Sequence, residues 1–291
     1  MSRPRRPSPG QIRRRRRTAI TLLALFAIAA IYLALTATLF GPVDEHGARV
    51  VHLTVHSKAV GDDLGVNVVE PAKPGKRGER PLLVFLHGRG GSDGTFVGNE
   101  AVFEGLAKLG AHAPIVAFPD GGDHGYWHDR AEGDWGRYVM REVIPTVSRR
   151  FGVDPRRVAI GGISMGGFGA YDLALLHPRR FCAVGGHSPA LWFEGGETAP
   201  GAFDGAADFN RNDVVGTVRS DPGAFGGMRV WNDYGSQDPF RVYDEGFVEA
   251  LEAGDADLSA HSWSGGHDSS YWNRHWPAYL RFYANSLAHC G

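Results

Sequence analysis

The chain has 291 residues, 43 % hydrophobic and 22 % charged, enough for a sizeable core and unlike a disordered chain. Its 41 glycines follow no Gly-X-Y period, which excludes collagen. The net charge of −1 divides into eight arginines without an acid in residues 1–17 and 23 basic against 32 acidic residues beyond. That acidic body argues against a general nucleic-acid binder.

After the basic tail 1–17, residues 18–40 (TAITLLALFAIAAIYLALTATLF) carry no charge. As a helix this stretch would be ~34 Å long, enough for a hydrocarbon core. The arginines on its N-terminal side predict a single-pass cell-membrane anchor, with everything beyond residue 40 extracytoplasmic. The alternative is a signal peptide, cleaved or of twin-arginine type, and a secreted domain. The length of the stretch and the poor cleavage site Thr36-Ala37-Thr38 favour the anchor. Residues 41–63 then read as a linker and a first strand, and 64–291 as the main domain.

Within that domain, Val66–Val69 alternates as a strand, and 71–80 is a loop rich in Pro, Gly, Lys and Arg. Leu82–Leu86, Ile115–Phe118, Val158–Ile163 and Phe181–Gly185 are compact apolar runs of the kind buried parallel strands show. Helical patterns lie near 96–109, 135–151 and 165–177. Further strands are predicted at 228–234 and 258–263, with helices near 240–253 and 271–289. Alternation of this kind predicts an α/β domain: a mainly parallel sheet with helices on both faces. Residues 188–227 are rich in Gly and Asp, show little periodicity, and read as a lid-like insertion. Cys182 and Cys290 permit one bridge in an exported domain; two unrelated thiols is the other reading.

Gly162-Ile163-Ser164-Met165-Gly166 follows an apolar strand and opens a helix. G-x-S-x-G at such a junction is a nucleophile elbow, a turn so tight that glycines must flank the serine. It would expose Ser164 and point the N–H of Met165 at an oxyanion. The other reading is a turn that only packs helix on strand. A serine nucleophile needs a base and a group to orient that base, and with this elbow both lie C-terminal to it. Asp238 follows a strand and a glycine turn, although an Asp before Pro239 also suits a helix cap. Asp233 lies within the strand and Asp244 within the next helix. His267 sits in a glycine loop after the last strand; His261, His275 and His289 fall inside elements. Leu86-His87-Gly88-Arg89-Gly90-Gly91 offers the second oxyanion donor: the Arg89 N–H, with Gly88 as alternative. It matches neither phosphate-loop pattern. Tyr126 and Trp127, beyond the carboxyl end of a strand, are candidate substrate contacts. His124 and His128 lack a third clear ligand, so no metal is expected.

Together DPRRVAIGGISMGGFGAYDLALLHPRRF, FLHGRGGS, FPDGG and SGGHDSSYW resemble the esterase D / antigen 85-like branch of α/β-hydrolases over about residues 64–289. The resemblance implies an α/β-hydrolase fold, a Ser164–His267–Asp238 triad, the Met165 and Arg89 amides as oxyanion hole, and no cofactor. It implies hydrolysis of carboxylic esters or, alternatively, acyl transfer to sugar hydroxyls as in mycolyltransferases, with an ester or acyl-glycolipid substrate. Relatives that lost the nucleophile only bind; all three catalytic residue types are kept here.

Overall fold

The apolar runs of the sequence lie side by side in one eight-stranded sheet in the computed structural model, which describes residues 26–28, 31, 43–254 and 256–290. The basic tail 1–17 and nearly all of the span 18–40 lie outside the described residues. Among the described residues no helix is long and apolar enough to cross a membrane. Asp44–Gly291 forms one compact unit.

The strands are β1 (Arg49–His56), β2 (Asp63–Glu70), β3 (Arg80–Leu86), β4 (Ile115–Pro119), the short hairpin β5 (Asp129–Arg130) and β6 (Gly133–Asp134), β7 (Val153–Ile163), β8 (Ala183–His187), β9 (Arg229–Gly235) and β10 (Leu258–Trp263). The large sheet runs β1-β2-β4-β3-β7-β8-β9-β10. β1, β2 and β4 pair antiparallel; from β4 to β10 every pairing is parallel. The central strands are buried on both faces, which is why they read as continuous apolar runs. One boundary moves. β1 pairs with β2 along its whole length, so the strand expected ahead of the domain is the edge of its sheet, added by a hairpin.

The principal helices are α1 (Glu100–Leu109), α2 (Ile144–Phe151, continuing a π-helical turn at Tyr138–Val143), α3 (Met165–Leu176), α4 (Ala206–Arg211), α5 (Val214–Ser220), α6 (Arg241–Glu252) and α7 (Ser269–Ala288). Register decides how closely two of them approach the sheet. Gly161 lies beside Gly185, and Gly162 beside Gly186. A Cβ at Gly161 or Gly185 would collide with Tyr283 of α7; one at Gly186 would collide with Tyr171 of α3. Successive residues of a strand face opposite sides, so α7 and α3 clamp the sheet from its two faces.

Every residue of α3 from Met165 to Ala174 is buried, because Trp127, Gly136, Phe247 of α6 and the 188–227 segment pack on the side turned away from the sheet. That insertion is more ordered than its composition suggested. It contains α4, α5 and a 3-10 turn at Gly195–Glu197, and it buries Leu191, Trp192, Phe209, Val214 and Val218. Helices of six and seven residues are too short to imprint a 3.6-residue period on the sequence. Cys182, just before β8, and Cys290, just after α7, are joined as a disulfide, with Cα atoms 5.8 Å apart.

The elbow and α3 each carry a testable consequence. A Cβ on Gly162 would strike the Gly166 backbone, and one on Gly166 the Leu86 carbonyl. Gly162→Ala should therefore cost at least about 1–3 kcal/mol of stability in urea unfolding, as overpacking against backbone does; an unchanged midpoint would show that the junction has room. Asp172 of α3 is buried, its Oδ2 has no partner among the described residues, and burial pushes its carboxyl up to about 8, with Asp208 and Asp129 adding to the rise. A folded-state value above the unfolded one means the folded chain holds the proton more tightly. This contribution is full below ~4 and is lost as pH rises towards 8, with a slope of up to ~1.4 kcal/mol per pH unit. Asp172→Asn should flatten the pH dependence of Tm across that window; an unaltered profile would mean that the carboxyl does not titrate there.

Candidate active site

The parallel strands all end at one edge of the sheet, and the candidate site residues gather there. Ser164 sits between β7 and α3 with φ 55° and ψ −117°, a conformation that non-glycine residues rarely adopt. Three main-chain bonds hold it. Its N–H donates to the His187 carbonyl (3.1 Å), and its own carbonyl accepts from Phe168 (3.0 Å) and Ala190 (3.0 Å). The strain thus persists because β8, α3 and the start of the 188–227 segment over-determine the turn.

His267 arrives from the loop after β10. Its Nε2 lies 2.8 Å from Ser164 Oγ, and its Nδ1 lies 2.9 Å from Asp238 Oδ2. With the Nδ1–H donating to the carboxylate, Nε2 is left to accept from the serine hydroxyl. The loops that carry Asp238 and His267 are tied to each other: Ser236 N–H donates to the Trp263 carbonyl and Gln237 N–H to the Gly265 carbonyl. Behind His267, Asp268 caps α7 by accepting from Ser270 and Tyr271 N–H, which fixes where the loop ends. Phe240 and Trp272 flank the imidazole, each with its ring centre 5.2 Å away. The Asp238 side chain is fully buried, whereas that of His267 stays 20 % exposed.

Asp238 does not cap α6, whose N-cap is Phe240 without a side-chain cap bond. Its Oδ1 accepts from Phe240 N–H at 2.8 Å in a local turn before α6, while Oδ2 meets His267. The competing acids are committed elsewhere. Asp233 is buried and accepts from His187, Trp231, Tyr271 and Tyr279 at 2.6–2.9 Å. Asp244 is buried beside Asn232, and burial holds its carboxyl well above the usual range. His261 and His275 stack on Trp263, and His289 bonds the Asn285 carbonyl, so none of them reaches Ser164.

The loop after β3 lies against the serine: a Cβ on Gly88 would stand 3.4 Å from Ser164 Cβ. Buried His87 shapes this loop, with Nδ1–H donating to the Gly88 carbonyl (2.8 Å) and Nε2 accepting from Gly121 N–H (2.9 Å). Gly90 N–H donates to Asp123, and Gly91 N–H to Gly88. Among the described residues the N–H groups of Arg89 and Met165 have no acceptor, as a site for an incoming oxygen requires.

A cavity of about 450 Å³ opens beside Ser164 and His267. Its walls are the Gly88–Gly91 loop, Phe96, Ile163, Trp272 and Trp276, with Thr95, Asn99 and Asn273 at the polar end. Asn99 Nδ2 donates to Asn273 Oδ1, joining the start of α1 to α7 (2.6 Å). The sequence did contain a signal for this wall: Trp272 and Trp276 lie four apart on the helix that follows the histidine loop.

Trp127 requires a correction. It is fully buried, wedged against Gly121 and Gly169, and its Nε1–H donates to the His87 carbonyl. It supports the loop after β3 from beneath and is not part of the wall of the cavity beside Ser164. Tyr126 is likewise absent from the cavity wall; it is 3 % exposed, packed with Phe168, Trp192 and Phe203, and approaches the Arg89 side chain. Position at a strand's carboxyl edge did not reveal that these two side chains turn inward, with φ of 50° and 64°. His128 bonds Asp208 (3.1 Å), and among the described residues no group of three or more metal-ligating side chains is found.

The family model described as "Putative esterase" matches residues 57–283. An esterase of Mycobacterium tuberculosis is 31 % identical over 156 residues, 50 % of this chain and 33 % of that protein, so the chain spans about a third of that relative's length. Among solved structures, a ferulic acid esterase superposes with TM-score 0.72 at 23 % identity, covering 83 % of this chain and 98 % of that one. MPT51 of Mycobacterium tuberculosis superposes with TM-score 0.64 at 17 % identity, covering 82 % of this chain and 99 % of that one. Since the family match spans most of the compact unit that carries this fold, the chain belongs to the esterase family of α/β-hydrolases.

Proposed function

We propose that the protein is a serine carboxylesterase working through an acyl-enzyme. The observation that carries this reading is the unbroken hydrogen-bond chain from Ser164 Oγ through His267 to Asp238, at a strained elbow opening into a cavity. His267 Nε2 takes the hydroxyl proton as Ser164 Oγ attacks the ester carbonyl. The resulting oxyanion lies between the N–H groups of Arg89 and Met165, where preorganised donors lower the barrier. Collapse expels the alcohol, which leaves with the proton from His267. Water then attacks the acyl-enzyme with His267 again as base, releasing the acid and restoring Ser164. Asp238 orients the imidazole and stabilises its cationic form. The walls Phe96, Trp272 and Trp276 suit an ester with a compact, flat apolar group.

Acyl transfer would share every step up to the acyl-enzyme and differ only in the attacking hydroxyl. Product analysis of an ester panel with and without sugar acceptors separates the two: acid alone supports hydrolysis, and acylated sugar supports transfer.

Asp238→Asn tests the triad most sharply. Asparagine keeps an oxygen for Phe240 N–H, so the turn and the fold should survive. It holds the imidazole in the wrong tautomer, a change that lowers kcat by about 10⁴ in the serine-protease template. Asp244→Asn, replacing a carboxyl already held neutral, should be nearly silent. Near-normal ester turnover by Asp238→Asn would place the acid elsewhere.

We propose residues 18–40 as an uncleaved anchor with the catalytic unit extracytoplasmic, supported by the charge-free span behind eight arginines. Residues 188–227 act as a cover over α3 and beside the site. The full chain should stay in membranes after alkaline carbonate washing, with a C-terminal reporter active only outside the cytoplasm; release of a shortened soluble chain would instead establish signal cleavage.

A further inference from the structure

The charge of the catalytic unit is unevenly spread: basic residues cluster at one edge of the sheet, with Asp221 and Asp257 beside Arg179 at the rim of that cluster. Asp44–Gly291 has 23 basic and 32 acidic residues, a net of −9. Yet segments 70–80, 149–157 and 177–182 together carry ten basic residues against three acidic, a net of +7, which leaves −16 on the remainder. These segments are distant in sequence and adjacent in space. They precede or join the N-terminal ends of β3, β7 and β8, at the edge of the sheet opposite Ser164.

Hydrogen bonds bind them into one surface. Arg77 donates to the Arg149 and Arg150 carbonyls, Gly78 N–H to Gly152, Arg157 to the Glu79 carbonyl, and Arg180 to the Pro155 carbonyl. Only Arg80 and Arg156 pair with a carboxylate, Glu70 and Asp154 respectively. Lys73, Lys76, Arg77, Arg149, Arg150, Arg157, Arg179 and Arg180 have no carboxylate partner among the described residues, and all but Arg157 and Arg180 are exposed. Like charges gathered in this way repel one another, so the arrangement lowers stability unless something anionic neutralises it.

The chain enters the unit at this same edge. Arg49, the first residue of β1, shares Glu70 with Arg80. Eight residues, 41–48, separate the end of the apolar span from that point, a reach of at most ~32 Å. We propose that this arginine-rich base is a docking surface for anionic phospholipid headgroups, holding the catalytic unit upright on the bilayer. Guanidinium groups suit phosphate oxygens, and cations within a Debye length of an anionic bilayer are drawn to it. β7 runs from the base at Val153 to the elbow, so Ser164 would stand on the order of 30 Å from the lipid surface, facing away from it. The inference rests on the proposed anchoring for its geometry, but its test does not use the anchor.

Residues 44–291 form a compact unit with its own core, and the superposed ferulic acid esterase consists almost wholly of the matching part, so this unit is the protein to test. It is sedimented with phosphatidylglycerol–phosphatidylcholine vesicles and with pure phosphatidylcholine vesicles. Binding should be at least ~10-fold greater to the anionic vesicles and should vanish near 0.5 M salt, where the Debye length shrinks to a few Å. R149E/R150E/R179E/R180E should abolish it while leaving hydrolysis of a soluble ester and the circular dichroism melting curve near wild type. Equal binding to both vesicle types, or undiminished binding by the variant, would overturn the proposal. So would failure to bind anionic vesicles by a unit that binds soluble polyphosphate through the same arginines, which would make the partner a dissolved polyanion. Carbonate extraction of the full chain reads the anchor separately, so either idea can fail alone.

Discussion

The site depends on how closely a helix can follow a strand through one residue. β7 reverses into α3 at Ser164, and the reversal is possible only because positions 162 and 166 carry no side chain. The consequence is mechanical as well as chemical. Ser164 is held in a high-energy backbone conformation, its hydroxyl stands clear of the sheet, and the first N–H of α3 is aimed at the place where negative charge would develop. Strain of this kind survives only where neighbours leave no alternative. Here they do so through the His187 carbonyl, the Ala190 amide and the packed underside of α3.

A second constraint lies inside the core. Asp233 is a carboxylate without solvent contact, and four donors from β8, β9 and α7 converge on its two oxygens. His187 continues the network to Tyr283, which enters the space left by Gly161 and Gly185. A buried carboxyl with fewer partners would be costly, and this one is well satisfied. Its partners include Tyr271, in the first turn of α7 just past His267, and the imidazole of His187, whose main-chain carbonyl receives the Ser164 N–H. The network therefore links the base loop and the elbow to the same rigid centre, although none of its members touches the cavity.

The two ends of the sheet divide the labour. The carboxyl edge gathers flexible-looking glycine loops that are in fact pinned by main-chain bonds, and it carries Ser164, His267, Asp238 and the cavity. The opposite edge gathers arginine doublets and the point of chain entry. Parallel strands make that division inevitable, because every connection returns the chain to the same starting edge and every strand delivers its last residue to the other.

The amino-acid sequence by itself determined the order of strands and helices, the elbow, and Ser164, Asp238 and His267 as the candidates that folding brings into one hydrogen-bonded chain, because each follows from local pattern and chain order. Apolar runs mark buried strands, and a glycine-flanked serine between strand and helix marks a turn too tight for side chains on either side of it. Tertiary structure decided whatever depends on contacts between distant segments. Whether Trp127 lined a cleft or filled the core turned on backbone torsions and on Gly121 and Gly169 making room for it. Phe96, Asn99, Trp272 and Trp276 became one wall only when α1 met α7. Asp233 and Asp238, five residues apart, differ in surroundings because one points into a closed cage of four donors and the other towards His267 at the cavity. The first strand joined the sheet through hydrogen bonds that no composition reports, and the order within 188–227 came from packing on α3 and not from periodicity of its own. Local chemistry is written along the chain, whereas the direction of a side chain is settled by the neighbours that folding brings to it.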